Sequence, residues 1–126
     1  MPYRVLIVDD NRSFLDAARV LLERQGLVVS GVTTTSEEAL RQSEAFRPEV
    51  VLVDIMLANE SGFDLVRRLV AHDGAGDTAM ILISTHAGED FADLIAESPA
   101  VGFLPKSELS ADAIRGLVES AGTSAG

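Results

Sequence analysis

The stretch VLIVDDN, residues 5–11, opens with four apolar residues in unbroken succession and closes on two acids and an amide. A strand with one wet face alternates apolar and polar side chains. An uninterrupted run instead marks a strand covered on both faces, as in a parallel sheet flanked by helices. Val50–Val53, Met80–Ile83 and Val101–Leu104 repeat the pattern, and Leu27–Val29 is a shorter version of it. Four of the runs end close to a residue able to meet a metal or a phosphoryl group: Asp9 with Asp10, then Asp54, then Ser84, then Lys106. The last is the sole lysine among 10 basic side chains.

Helical periods lie between the runs. Phe14, Ala17, Ala18, Leu21 and Leu22 fall at i, i+3, i+4, i+7 and i+8 and predict one apolar stripe, with Gly26 as its stop. Thr35-Ser36-Glu37-Glu38 predicts a capping box at the head of a second helix, and Pro48 bars that helix from the next strand. Val66, Leu69 and Val70 mark a third helix, followed by a Gly-rich polar loop over His72–Thr78. Phe91, Leu94 and Ile95 predict a fourth helix ending near Pro99, and Ala113, Ile114, Leu117 and Val118 a fifth. Gly122–Gly126 predicts no regular structure. The expectation is an α/β fold: a single doubly wound sheet of five parallel strands with helices on both faces. Ligands of such sheets sit beyond the carboxyl ends of the strands, where the strand order reverses. The acids, Ser84 and Lys106 would therefore gather at one mouth.

Composition narrows the classes. The 126 residues suit one domain with a real core, and 47% hydrophobic residues with a net charge of −10 read as globular, not disordered. The acidic balance argues against direct contact with nucleic acid or an anionic membrane, both of which need clustered Lys and Arg. With no cysteine, disulfides and zinc–thiolate sites are excluded. No apolar stretch approaches the roughly 20 residues of a membrane span. MPYRVLIVDD turns acidic too soon for a signal peptide, so the expected location is cytoplasmic.

The gathered residues suit phosphoryl chemistry. Two unit charges about 4 Å apart repel by about 4 kcal/mol at an effective dielectric of about 20, so three clustered carboxylates ask for a cation. Mg²⁺ (or Mn²⁺), bound by oxygen, answers that need and keeps room for a phosphate oxygen. An Asp beside such an ion can attack phosphorus. Asp54, on a central strand between the acid pair and Ser84 with Lys106, is the best-placed nucleophile. Charge on the equatorial phosphoryl oxygens would be met by the ion, the Lys106 ammonium and the Ser84 hydroxyl with nearby backbone N–H groups.

In VLIVDDN (5–11), VVLVDIMLANESG (50–62), ILISTHAG (81–88) and GFLPKSEL (102–109), the chain resembles the response-regulator receiver domain of two-component signalling, over essentially its whole length. The resemblance implies a flavodoxin-like strand order 2-1-3-4-5 with five helices. It implies a receiver over residues 1–120 and a flexible tail or the start of a linker over 121–126. Asp54 would accept phosphate from a histidine kinase or histidine phosphotransfer protein. Asp10 would bind the metal directly, Asp9 largely through water, and the backbone carbonyl of Met56 would complete the protein ligands with Asp54. Ser84 would be the switch hydroxyl, Lys106 the phosphate-pairing lysine and Phe103 the aromatic switch residue. Met56, Thr85 and His86 would tune phosphoryl lifetime. The face of the fourth helix, last strand and fifth helix would carry the output, to a downstream protein, a C-terminal output domain or a second copy. GFLPKSEL is similar to receivers that precede a helix-turn-helix output. The domain would assist its own phosphorylation and dephosphorylation without being an enzyme otherwise.

Three departures stand out. Ala58 replaces the usual Pro, removing a stiffening ring. Ser107 replaces the Pro often found after the lysine, so a trans peptide is expected, cis without Pro costing about 3 kcal/mol. Thr85 stands where a very small residue is usual, and its bulk is expected to slow self-dephosphorylation. Two other readings compete. A haloacid-dehalogenase-like Mg²⁺ phosphatase places its nucleophile after the first strand with a second acid two positions on, where this chain has Asn11. An interaction module that never carries phosphate would have no use for Asp54, Asp10 and Lys106 together. Plainer roles also exist: Asp9-Asp10 as a solvated turn and helix N-cap, Ser84 as a strand-end cap, Phe103 as core, and Glu89, Asp90, Asp93 and Glu97 as the wet face of the fourth helix.

Overall fold

Val5–Val8, Val50–Val53 and Met80–Ile83 become the middle of the sheet, while Leu27–Val29 and Val101–Leu104, expected to be covered in the same way, fall at its two edges, where burial is only partial. The computed structural model describes residues 3–57, 60–73, 78–85 and 88–125. Its strands are β1 (Arg4–Val8), β2 (Val28–Thr33), β3 (Val50–Asp54), β4 (Ala79–Ser84) and β5 (Gly102–Pro105). Its helices are α1 (Arg12–Arg24), α2 (Ser36–Phe46), α3 (Gly62–Asp73), α4 (Ala92–Glu97) and α5 (Ala111–Ala125). All strand pairs are parallel, in the order β2-β1-β3-β4-β5, as the resemblance implies. Order reverses beside β1, where the chain leaves for β2 on one side and returns to β3 on the other.

Val5–Val8, Val50–Val53 and Ile81–Ile83 have no exposed surface, because both faces of the central strands are covered. Val5, Ile7, Leu52, Ile81 and Ile83 pack with Leu15, Leu22 and Ile114 from α1 and α5. Leu6, Val8, Val51, Val53 and Leu82 pack with Ala39, Leu65, Val66 and Leu69 from α2 and α3. Each such side chain contributes about 1.5–3 kcal/mol on leaving water. No helix among the described residues is long and apolar enough to cross a membrane.

Several local expectations need correction. α1 buries Leu15, Ala18 and Leu22 and half-buries Phe14, while Ala17 and Leu21 of the expected stripe face outward beside Val20. Apolar residues cover more of this helix than the sheet can, and two stripes fit the same period. β2 runs on to Thr33, with Ser30 bulged where Val29 pairs Val5 and Gly31 pairs Leu6; the bulge breaks the apolar pattern at a sheet edge. Only half of the capping box forms. Thr35 Oγ1 accepts from the Glu38 N–H (3.2 Å), but the Glu38 carboxylate turns to Gln42 (3.2 Å) and Arg41 (3.2 Å). α3 takes the first residues of the expected loop, and Gly74–Asp77 lie outside the described residues. The fourth helix is a 3₁₀ turn over Gly88–Phe91 followed by the six-residue α4, none of whose residues is buried. α5 continues through Ala125, so the backbone of 122–125, expected to be irregular, is helical: a nucleated helix adds residues cheaply.

Gly26 does stop α1, at φ +95°, a conformation that favours glycine. Beside it, the C-cap Gln25 anchors the start of α5. Its Oε1 accepts from the Ala111 N–H at 2.6 Å, and its carbonyl accepts from Arg115 Nη2 at 3.5 Å.

Candidate functional site

Four strand ends deliver the mouth. Asp9 follows β1, Asp54 ends β3, Ser84 ends β4 and Lys106 follows β5. Asp9 is fully buried, and Asp54 and Ser84 are 6% and 2% exposed; Asp10 faces solvent. Carboxylate oxygens of Asp9, Asp10 and Asp54 all lie within 4.8 Å of one another. Lys106 Nζ sits 2.6 Å from Asp9 Oδ2 and 3.2 Å from Asp54 Oδ2. The ammonium also stands 4.4 Å from the centre of the Phe14 ring, a cation–π contact. Phe14 belongs to the apolar stripe expected of α1, and nothing in its spacing marks it as a partner for Lys106.

Backbone groups aim the acids. Asp9 Oδ1 accepts from the Asn11 N–H (2.8 Å), and Asn11 Oδ1 accepts from the Phe14 N–H (3.1 Å), capping α1. The cap is Asn11, not the acid pair. Asp54 Oδ1 accepts from the Met56 N–H at 3.1 Å. The fully buried Asp9 Oδ2 is held by the Lys106 ammonium at 2.6 Å. Three carboxylates that offer oxygens within 4.8 Å of one another, with one ammonium between two of them, keep an excess of negative charge and present the oxygen donors a hard divalent ion takes.

Charge balance follows from the same contacts. Burial pushes the Asp54 carboxyl above the usual carboxylate range and the Asp9 charge adds to this, with the Met56 N–H and the Lys106 ammonium pulling the other way. For Lys106, burial works against the charged form, but contact with Asp9 and the charge of Asp54 outweigh it, and its pKa stands above the ordinary lysine value.

The β3–α3 loop is a small hairpin. Met56 bridges Ser61, Leu57 N–H donates to Glu60 O (3.1 Å), Glu60 N–H to Leu57 O (3.4 Å) and Gly62 N–H to Ile55 O (2.7 Å). Gly62 lies so close to β3 that a Cβ there would stand 2.8 Å from Asp54 C and Ile55 Cα and deep inside contact with the Asp54 carbonyl oxygen. In the sequence the only signal for Gly62 is its place at the end of the 50–62 stretch. Glu60 joins this loop to both flanking helices: Ser36 Oγ donates to its Oε2 at 2.6 Å, and Arg68 Nη1 lies 3.4 Å from the same oxygen.

Among the other expected residues, the Met56 side chain is 57% exposed and Thr85 is exposed at the rim. Phe103 is half-buried against the cluster that holds Phe63, Leu65 and Leu82. Phe91, packed against the same cluster, stands 6.4 Å from Phe63 between ring centres. His86 and Ala58 lie outside the described residues. All described peptide bonds are trans, Lys106–Ser107 included. Glu89, Asp90, Asp93 and Glu97 are exposed, as the plainer reading expects.

A family model for the response regulator receiver domain matches residues 5–119. A putative transcriptional regulator of Pseudomonas aeruginosa is 30% identical over 105 residues, covering 83% of this chain and 50% of that protein. The chain spans from about a third to about half the length of the curated relatives it matches. Among solved structures, a LuxR-family two-component response regulator from Aurantimonas superposes with a TM-score of 0.83 at 26% identity, over 95% of this chain and 87% of that one. The signal receiver domain of a modulated diguanylate cyclase from Desulfovibrio desulfuricans superposes at 0.77 with 31% identity, over 96% of this chain and 94% of that one.

Proposed function

This chain belongs to the response regulator receiver domain family, and from that premise we propose that Asp54 accepts a phosphoryl group from a histidine kinase or a histidine phosphotransfer protein in the cytoplasm. The observation that carries the reading is the Lys106 ammonium bridging Asp9 and Asp54, with Asp10 completing the acid cluster. A carboxylate oxygen of Asp54 attacks phosphorus; the new O–P bond forms as the N–P bond of the phosphohistidine breaks, and its electron pair stays on the imidazole. Asp9, Asp10, Asp54 and the Met56 carbonyl would hold Mg²⁺, which when bound neutralises the carboxylates and draws charge from the phosphoryl oxygens. Lys106 is close enough to follow a phosphoryl oxygen while staying on Asp54, and Ser84 supplies a hydroxyl from the neighbouring strand end. The outward apolar residues of α1, Ala17, Val20 and Leu21, begin two turns from Asn11 and give a donor helix a surface beside the mouth.

The output would run through α4, β5 and α5. α4 has no buried residue, so few contacts oppose its movement. Attraction of Ser84 to the phosphoryl group would free space for Phe103 to turn and reshape that face for a downstream protein, an output domain or a second copy. Moving such a switch from 1:99 to 99:1 takes about 5.5 kcal/mol of differential stabilisation. The test is incubation with acetyl phosphate and Mg²⁺, read on a phosphate-affinity gel. Wild type should gain one shifted species and Asp54→Asn none. Persistence of the shift in Asp54→Asn, or many turnovers of a small phosphate ester, would overturn the proposal in favour of another acceptor or a phosphatase.

A further inference from the structure

We infer that Glu60 is a positioning residue for the phosphoryl site: clamped to Ser36, it fixes the β3–α3 hairpin so that Met56 presents its amide to Asp54 and its carbonyl to the metal. The inference rests on the metal–phosphoryl reading of the mouth and adds a residue which that reading does not use. Ser36, in the first turn of α2, is 1% exposed, and its Oγ donates to Glu60 Oε2 at 2.6 Å. Glu60 is tied in turn by two backbone hydrogen bonds to Leu57, the residue after Met56. Met56 N–H reaches Asp54 Oδ1. A chain of short contacts thus runs from the head of α2 through the hairpin to the phosphoacceptor.

The two partners of Glu60 are unequal. The Arg68 pair joins half-exposed side chains, and water and salt screen it. The Ser36 bond is the stronger constraint, since losing its acceptor strands a buried hydroxyl. With Ala at 58, the loop has no proline ring to stiffen it, and side-chain tethering takes over that task. Partners one step behind a metal ligand set its orientation and its affinity.

The test compares Ser36→Ala, Glu60→Ala and Glu60→Gln with wild type in two measurements on the full chain: Mg²⁺ affinity by calorimetry, and hydrogen exchange of the Met56 amide by NMR without metal. Ser36→Ala keeps every charge and cuts the tether; Glu60→Gln removes the charge and keeps the acceptor. Both alanine variants should bind Mg²⁺ about fivefold more weakly, the equivalent of one net hydrogen bond, and should exchange the Met56 amide faster. Glu60→Gln should stay within about twofold of wild type, since the exposed charge contributes little. Wild-type exchange and affinity in Glu60→Ala, or equal damage in Glu60→Gln and Glu60→Ala, would overturn the inference. The two Glu60 variants alter an exposed residue, so they decide the matter even if Ser36→Ala folds poorly. If wild type itself binds no Mg²⁺, the site reading fails, while the metal-free exchange comparison still decides whether the clamp exists.

Discussion

Gly62→Ala should destabilise the domain although Ala is the better helix former. At an open helical position the change gains up to about 1 kcal/mol. Here the added methyl would lie 2.8 Å from Asp54 C and Ile55 Cα, against about 3.5–4.0 Å for relaxed carbon contacts. The obstructing atoms are backbone, so none can swing aside. Relief of about 1 Å must come from lifting the first turn of α3, which stretches the 2.7 Å bond from Gly62 N–H to Ile55 O, or from displacing the end of β3. Overpacking costs about 1–3 kcal/mol and the loss of that hydrogen bond about 1 kcal/mol. The sum, about 2–4 kcal/mol, corresponds to a fall in melting temperature of roughly 6–15 °C for a domain of this size. Thermal unfolding followed by circular dichroism reads it directly, and the yield of acetyl-phosphate labelling should drop in the folded variant because Asp54 is the residue pushed. A melting temperature at or above that of wild type would refute the reasoning, since propensity would then have outweighed contact.

Lys106→Met leaves fully buried Asp9 without its cation. Breaking a buried pair costs about 3–5 kcal/mol, and saturating Mg²⁺ should recover most of the loss; equal stability of both proteins without metal would refute it. Because the folded pKa of Lys106 is raised, its contribution is complete below the ordinary value of 10.5 and disappears as pH rises through the higher folded value. The stability gap between wild type and Lys106→Met should therefore be flat through neutral pH and close only in alkali. Asp54 has the opposite consequence at neutral pH: its carboxyl pKa is also raised, so the fold favours the protonated form, and that contribution is lost as pH rises above the ordinary 3.8 through the folded value. Asp54→Asn should match wild type in acid and exceed it at neutral pH in urea unfolding; a neutral-pH stability below wild type would contradict this. Thr85→Ala should shorten phosphoryl lifetime by opening the rim to water, measured as radiolabel decay, and slower decay would contradict the steric argument.

How far the sequence could be read depended on whether the pattern was local. Val5–Val8 and Val50–Val53 are buried on both faces, so their composition alone announces central parallel strands. Once those strands are aligned, the carboxyl-end rule brings Asp9, Asp54, Ser84 and Lys106 to one rim. The Phe14 ring under Lys106 was not legible, because a half-buried aromatic in a helix serves core and cation alike. Gly62 and Glu60 were not legible either. Their roles depend on how far the chain after Asp54 folds back, which spacing along the sequence does not encode. The stripe on α1 was misplaced because six or more apolar residues on one helix admit two equally periodic faces. The bulge at Ser30 hid four of the six residues of β2 for the complementary reason: one extra residue resets the alternation on which strand reading rests.

The anchoring of α5 at Gln25 makes the last connection a short strap. α1 is 13 residues long, about 20 Å from end to end; the Lys106 ammonium, at the tip of a long side chain, rests on Phe14 in its first turn, and Ala111 is fastened beside its last. Five residue steps span at most about 17–18 Å, and the 3₁₀ turn over Lys106–Glu108 uses up part of that reach. Little slack remains. Whichever oxygen the ammonium follows, the tug arrives at the α1–α5 seam along covalent bonds, as a bowstring carries a pull from one limb to the other.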